Sequence, residues 1–482
     1  MNRQIQRIGA VFALLFVALL VNLTVIQVFQ APSIRARAGN SRVLLRDYQK
    51  KRGPIMVGTL PVAYSIPTTD QLKYLRLYGN GPMYASATGF FSMVYGATGL
   101  ERIENDLLSG NDPRLFVNRL GQLIAGREPQ GGTVVLTLNA KAQEVAFRAL
   151  AGKVGAVAAI DPATGAILAL VQSPSFDPAL LSSHDPAAIR TYYDSLLKDP
   201  NQPLLNRPLV SVDPPGSTFK LVTLAAALES GNYTKDSLIP GPASLKLPQS
   251  THVLHNWSGS PCGPNNKTTL ANALNISCNT AFAWLGMQVG GDALRTQAEK
   301  FGFDSSFSVP MRTAISRFPA TLDPPTTAMA AIGQFDDRAT VLQMAMVGAG
   351  IANGGVVMSP YLVREVRAPD LTILQSAQPT IFSRAMTAAN AATELHMMQA
   401  VVDIGTGSNA QIRGAAIAGK TGTAQTGNAA PSVAWFVGIG SVDNPRVAVA
   451  VVIEDAGGQV EISGNRLAAP IARDVIKAIL GL

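Results

Sequence analysis

The sequence predicts an α+β protein built on a five-stranded antiparallel sheet with helices on both faces and a helical subdomain inserted between the sheet's halves. Three observations carry this. Residues 154–160 and 166–171 are apolar, strand-like runs joined by Asp161-Pro162-Ala163-Thr164-Gly165, the composition of a hairpin turn. Three more runs of the same kind occupy 415–425, 432–440 and 446–454, the last two parted by Asp443-Asn444-Pro445. The long stretch between the two groups reads mostly as helix, and residues 467–482 close as another. Two strands, a helical insert, three strands and a helix make one sheet from segments distant in sequence.

In chain order, residues 9–29 come first: an uncharged apolar run long enough to cross a bilayer as a helix. A cleaved signal peptide is the alternative, and Ala36-Arg37-Ala38 has the small residues of a cleavage box. The run is longer than the apolar region of such signals, which favours an uncleaved anchor. Arg3 and Arg7 before the run are matched by Arg35, Arg37 and Arg42 after it, so charge bias does not set the orientation. The chain then divides into a short N-terminus (1–8), the anchor (9–29), a non-catalytic pedestal (30–150) and a catalytic domain (151–482). Up to about residue 130 the pedestal reads as an irregular module of short strands and turns, with no catalytic cluster. Residues 131–138 alternate like a strand, and 139–150 form a helix capped by Asn139.

Within the catalytic domain, Pro214-Pro215-Gly216 marks where a helix starts. The apolar residues 221–228 continue it as a helix buried on every side, stopping at Gly231. Thr340-Val341-Leu342-Gln343 has the pattern of a capping box opening a helix that ends near Asn353-Gly354-Gly355.

Composition excludes several classes. With 482 residues, 47% hydrophobic and 15% charged, the chain is not disordered and supports two or three domains. Its net charge of +8 is scattered, and no nucleic-acid-reading motif is present, so no nucleic-acid partner is expected. The basic residues between 35 and 52 suit lipid headgroups or an anionic wall. The two cysteines, Cys262 and Cys278, read as a disulfide if the chain lies outside the cytoplasm and as two buried thiols if it lies inside. His252 and His255 are near Cys262, but without paired ligand spacing they predict no metal site, and no cofactor is expected.

The chemistry gathers at Ser217 and Lys220, whose i,i+3 spacing puts both on one face of a helix. Alone, the pair reads equally as a capping serine and a solvated lysine. Ser277-Cys278-Asn279 and then Lys420-Thr421-Gly422-Thr423 change that reading, because Ser-x-x-Lys, Ser-x-Asn and Lys-Thr-Gly in this order are the set of serine acyl-transferases that react with penicillin. Ser217 is the expected nucleophile and Lys220 its base, provided the amine is neutral; burial and a second cation, Lys420, favour that. Ser277 can relay a proton to a leaving amine, and Asn279 can bond Lys220 and a substrate amide. Gly422 would let a substrate backbone lie against the strand as an added strand. Thr421 and Thr423 with Lys420 suit a terminal carboxylate, and the backbone N–H groups of Ser217 and Thr423 suit an oxyanion.

At these residues the chain resembles a class B penicillin-binding protein, most closely the actinobacterial branch called penicillin-binding protein A. Further landmarks extend the resemblance over nearly the whole length. They are Arg52-Gly53-Pro54-Ile55, Gly99-Leu100-Glu101, Pro174-Ser175-Phe176-Asp177-Pro178, Leu205-Asn206-Arg207, Gly333-Gln334, Ala352-Asn353-Gly354-Gly355 and Gly405-Thr406-Gly407. The resemblance implies the penicillin-binding/serine β-lactamase-like transpeptidase fold on a single membrane span, with the catalytic domain outside the cytoplasm. It implies a D,D-transpeptidase that cross-links peptidoglycan stem peptides ending in D-Ala-D-Ala during cell wall synthesis, in division or in maintaining cell shape, and is acylated by β-lactams. On an exported domain the Cys262–Cys278 pair is expected to be bonded. A separate glycan polymerase of the SEDS type is implied as partner, and Asn22, Thr24 and Gln27 are polar positions that could face it. Two features depart from the family pattern: Met56-Val57 replaces an acidic-basic pair, and Cys278 fills the middle of the second motif. The rivals are a D,D-carboxypeptidase or β-lactamase, and a non-catalytic penicillin-binding receptor or scaffold. The anchor and pedestal argue against a β-lactamase, and a scaffold has no need of Ser217, Lys220 and Lys420 together.

Overall fold

The computed structural model describes residues 2–30, 48–126, 128–424, 432–458 and 463–482. Helix α1 (Asn2–Thr24) runs on into a π-helical segment, Val25–Gln30. Its apolar part, Arg3–Val28, is covered by nothing among the described residues. Thr24 Oγ1 donates to the Leu20 carbonyl at 2.8 Å, so this hydroxyl is satisfied within its own helix. The flanking Arg35, Arg37 and Arg42 and the Ala36-Arg37-Ala38 box lie outside the described residues.

The body begins with three strands, β1 (Ile55–Val57), β2 (Leu60–Pro67) and β3 (Tyr74–Tyr78). Short helices follow, among them Gly81–Thr88 and Gly99–Ile103, and then α2 (Phe116–Ile124). Strand β4 (Thr133–Leu136) leads into α3 (Ala140–Ala149), where Asn139 Oδ1 accepts from the Ala142 N–H at 3.0 Å, the cap that residue type predicts. The hairpin is β5 (Val154–Ile160) and β6 (Ile167–Ser173). The insert contributes α4 (Lys220–Glu229), α5 (Leu270–Asn275), α6 (Asn279–Val289) and α7 (Val341–Ala352). Short strands interrupt it, among them β7 (Val363–Arg367) and β8 (Ile373–Ser376), before α8 (Ala388–Asp403). The chain closes with β9 (Ile417–Ala424), β10 (Val433–Gly440), β11 (Val447–Asp455) and α9 (Ala469–Leu480).

The five-stranded sheet has the order β9-β10-β11-β5-β6, every pair antiparallel. Its strands are apolar on both faces because both are covered. In β11, Ala448, Ala450 and Val452 join the core shared with α4 and α7, whereas Val447, Val449 and Val451 join the core under α3 and α9. β9 is left at the sheet's edge, beside the insert.

The second sheet has the order β8-β7-β4-β1-β2-β3, so β7 and β8 complete a sheet whose other strands precede residue 137. Only β1 and β4 are parallel within it. The pedestal stretch therefore has more helix and a larger sheet than its turn-rich sequence conveys. Two of its resemblance landmarks meet at one buried cluster: Arg52 Nε and Arg76 Nε reach the two Glu101 carboxylate oxygens at 2.6 and 2.7 Å, and Tyr78 OH donates to the same group. Burial alone would raise the Glu101 carboxyl, but Arg76 and Arg52 hold it below its usual value.

One cap differs from expectation. Thr340 Oγ1 accepts from the Gln343 N–H at 3.0 Å, but the Gln343 side chain does not return the bond. It donates instead to the Phe301 carbonyl at 2.7 Å, while the Thr340 N–H uses Ser316 Oγ. A buried carbonyl elsewhere outcompetes the local box.

Candidate active site

Ser217 lies in a 3₁₀ turn, Gly216–Thr218, directly before α4. Several tethers fix the turn. The Gly216 N–H donates to the Gly333 carbonyl at 3.0 Å, Trp435 Nε1 to the Pro214 carbonyl at 2.9 Å, and Thr218 Oγ1 to the Pro215 carbonyl at 2.6 Å. The glycine at 333 has φ +70°, and a Cβ there would lie 2.3 Å from the Gly216 carbonyl oxygen. Gly422 on β9 serves the same turn from the other side: a Cβ would come within 3.0 Å of the Pro215 oxygen and of Thr218 Cγ2. Its missing side chain thus admits the nucleophile turn itself, a closer demand than the substrate approach expected of it.

The second motif is a helix terminus. The N–H of Cys278 bonds the Ala273 carbonyl and that of Ser277 the Leu274 carbonyl, at 2.8 and 3.1 Å. These are the two bonds of a Schellman cap on α5, with Ser277 at φ +58° in the left-handed position where glycine is usual. The arrangement turns the Ser277 side chain back toward α4. Asn279 then opens α6, its Nδ2 donating to the His255 carbonyl at 3.2 Å. Cys262 and Cys278 are joined by a disulfide, Cα–Cα 6.1 Å.

Four expected residues meet in one network. Lys220 Nζ donates to the Ser277 carbonyl at 2.8 Å and Asn279 Oδ1 at 2.7 Å, and lies 3.3 Å from Ser277 Oγ. Lys420 Nζ donates to the same Ser277 Oγ at 2.8 Å and to the Thr421 carbonyl at 2.9 Å. Both lysines are fully buried. Burial, then the charge of Lys420, pushes the Lys220 amine well below the ordinary lysine value, and burial brings Lys420 down to about 7. Two cations sharing one hydroxyl repel, so of the two amines Lys420 is the one that keeps a proton and Lys220 the one that gives it up first. Its two N–H bonds then go to Ser277 O and Asn279 Oδ1, leaving a lone pair to accept a proton.

Strand alternation places Thr421 and Thr423 on the face opposite Lys420 and Gly422. Thr421 is buried, its hydroxyl 3.0 Å from that of Thr406; Thr423 is exposed, its Oγ1 accepting from the Gly464 N–H at 3.4 Å. Among the described residues no hydrogen bond links either side chain to the lysine network. Thr406, Gly333 and Arg207 stood in the sequence as landmarks without a role. Asp213 and Glu454 carried no signal at all. Four positions before the nucleophile, Asp213 exchanges both backbone bonds with Ala339, and Ser211 Oγ lies 3.3 Å from Asp213 Oδ2 and 3.1 Å from Glu454 Oε1. Arg207 Nε meets Glu454 at 3.3 Å. Burial and then the Glu454 charge lift the Asp213 carboxyl to about 7.

Residues 155–477 match the family described as penicillin binding protein transpeptidase domain, and residues 52–134 match penicillin binding protein A dimerisation domain. A protein of Mycolicibacterium smegmatis named peptidoglycan D,D-transpeptidase PbpA is 42% identical, covering 100% of this chain and 99% of the relative. The protein of the same name from Mycobacterium tuberculosis is 41% identical with the same coverage. Among solved structures, the ceftriaxone acyl-enzyme complex of M. tuberculosis penicillin-binding protein A has a TM-score of 0.88 and 40% identity, covering 90% of this chain and 100% of that one. A D,D-transpeptidase domain from Eggerthella lenta follows at TM-score 0.77 and 34% identity, covering 90% of this chain and 99% of that one.

Proposed function

This chain belongs to the penicillin-binding protein transpeptidase family, and from that premise we infer how it works as a peptidoglycan D,D-transpeptidase, acting through a serine acyl-enzyme that β-lactams trap. The observation that carries the reading is the shared hydrogen bonding of Lys220, Ser277, Asn279 and Lys420 beside the Ser217 turn. Ser217 Oγ attacks the carbonyl carbon of the penultimate D-Ala as its proton passes to Lys220 Nζ. The oxyanion is met by the Ser217 and Thr423 backbone N–H groups, and the donor strand adds to the open edge of β9. Ser277, poised between the two lysines, hands its hydroxyl proton to the departing amine and takes in its place the one Lys220 received from Ser217; the peptide bond breaks, D-Ala leaves and Lys220 is neutral again. An acceptor amine then attacks the ester carbonyl, loses its proton to Lys220, and Ser217 recovers its hydroxyl as the new amide forms. The Thr421 and Thr423 hydroxyls hold the terminal carboxylate at the rim of the strand, with the charge of Lys420 behind them on the other face. With a β-lactam the same attack opens the ring, and the leaving nitrogen stays tethered, so deacylation stalls.

We read 30–150 as the pedestal and 151–482 as the catalytic domain, in keeping with the two family matches. α1 crosses the cell membrane once and holds the body outside the cytoplasm, where a disulfide persists. Pedestal residues 30–150 are too few for a glycan-polymerising domain, so glycan strands come from a separate polymerase of the SEDS type, with Asn22 and Gln27 offered from the span.

Fluorescent penicillin should label Ser217 alone, and label persisting in Ser217→Ala would overturn the assignment. Transfer of a stem-peptide donor onto an added D-amino acid separates a transpeptidase from a carboxypeptidase, which releases only hydrolysed product, and from a scaffold, which gives neither.

A further inference from the structure

Helix α2 is amphipathic in the wrong sense for a body helix. Its polar residues face the protein: Asn118 Nδ2 donates to Asp370 at 2.7 Å, and Gln122 Oε1 accepts from the Gln130 N–H at 3.1 Å. Phe116, Val117, Leu120, Leu123 and Ile124 form a single stripe at helical spacing, and they are between 48% and 80% exposed. Nothing lies within 4 Å of a Cβ built at Gly121, in the middle of the helix. Leu371 and Ile373, beside the Asp370 contact, are exposed as well.

The position of α2 identifies what covers it. The body is joined to α1 by residues 31–47, a length of chain that reaches at most about 60 Å. It resumes at Tyr48, and Lys50 Nζ bonds Asn111 Oδ1 at 2.8 Å. Arg119 of α2 bonds the neighbouring Gly110 carbonyl and lies over the Phe116 ring, 5.9 Å from its centroid. α2 is therefore at the tethered end of the body. A basic side chain borders its apolar stripe, as on helices that lie in a membrane surface. A second copy is disfavoured by size. Nine residues make a helix about 14 Å long, and its five-side-chain stripe is too small to supply by itself the roughly 800 Å² per partner that stable protein interfaces bury, so it would not on its own hold the dimer that the name of the family matched by residues 52–134 carries. A bilayer needs no complementary shape, and a tether keeps it at high effective concentration, so a small apolar stripe suffices.

We propose that α2 is an interfacial helix that lays its Phe116–Ile124 stripe into the outer surface of the bilayer holding α1, a second membrane contact in the pedestal. The inference rests on α1 spanning that membrane. The test places an environment-sensitive fluorophore on Val117→Cys in the full chain, whose native cysteines are both in the disulfide. The chain is inserted into nanodiscs of phosphatidylcholine and phosphatidylglycerol, with and without doxyl-labelled lipid. A blue-shifted emission that doxyl lipid quenches is expected, whereas the same label on exposed Asp236→Cys shows neither. Adding Leu120→Glu and Ile124→Glu should abolish shift and quenching together while penicillin labelling of Ser217 persists, since these side chains fill no core. An unshifted Val117 label in nanodisc-bound protein overturns the proposal and leaves the anchor standing. A shift without lipid quenching means that protein, such as a second copy, covers the stripe, and also overturns it. Failure of the chain to co-elute with nanodiscs overturns the anchor and the proposal together.

Discussion

At the residue scale, the mechanism we propose turns on the proton inventory of Lys220, Lys420 and Ser277. Lys220→Arg puts a permanent cation, which cannot deprotonate, where the neutral amine is needed, so acylation by penicillin should fall by about a thousandfold, measured by stopped-flow with a fluorescent β-lactam. Because Lys220 is depressed well below the ordinary value, native acylation should rise with pH through a midpoint far below that of free lysine. Asp213 predicts a stability effect of opposite kind. Its folded pKa, about 7, lies above its unfolded value, so the stability it contributes is full below about pH 4 and is lost as pH climbs toward 7. Asp213→Asn should remove that decline, which chemical denaturation at pH 5 and pH 8 would reveal; an equal decline in both proteins would exclude the group as its source.

At the element scale, the site depends on caps and close approaches. Gly422→Ala would press a methyl against Pro215 and Thr218, and the Ser217 turn must shift to admit it. Acylation should fall more than stability does, as parallel kinetic and thermal measurements would show. Reduction of Cys262–Cys278 frees the loop tied to the strained Ser277 turn. It should cost about 3 kcal/mol by releasing the unfolded chain and should slow acylation as well, whereas reduction that lowers the melting temperature alone would leave Ser277 independent of the bond. These elements also show what a single sequence conveys. Ser217 and Lys220 are three residues apart, so that they are neighbours is legible locally, as are the Asn139 cap and the 154–173 hairpin. Thr406 meeting Thr421, or Ser211 meeting Glu454, depends on chain crossings that no local pattern encodes. β7, Val363-Arg364-Glu365-Val366-Arg367, is too polar to announce itself as a strand, and its partner β4 lies more than two hundred residues earlier.

At the scale of the whole molecule, that pairing means the pedestal sheet and the catalytic region do not separate cleanly. A chain begun at residue 151 would leave β7 without β4, an unpaired edge open to other chains. It should aggregate where the chain from residue 48 stays monomeric, a difference that size-exclusion chromatography would report. Glu101→Gln should cost about 3–5 kcal/mol by leaving the buried Arg52 and Arg76 uncompensated, seen as a lower unfolding midpoint with the acylation rate of folded protein unchanged.

The five-stranded sheet also has a history in time. β5 pairs on one side with its hairpin partner and on the other with β11, whose first residue, Val447, emerges long after Ile160. At cellular synthesis rates of roughly 5–20 residues per second, that interval is about 15–60 s. Throughout it, the apolar hairpin that forms one end of the sheet waits with the β11 side of β5 unpaired, while the whole helical insert is still being made. The arrangement that lets the insert deliver Ser217, Lys220 and Ser277 to the edge strand therefore leaves the nascent chain dependent on whatever shields that hairpin until its last neighbour arrives.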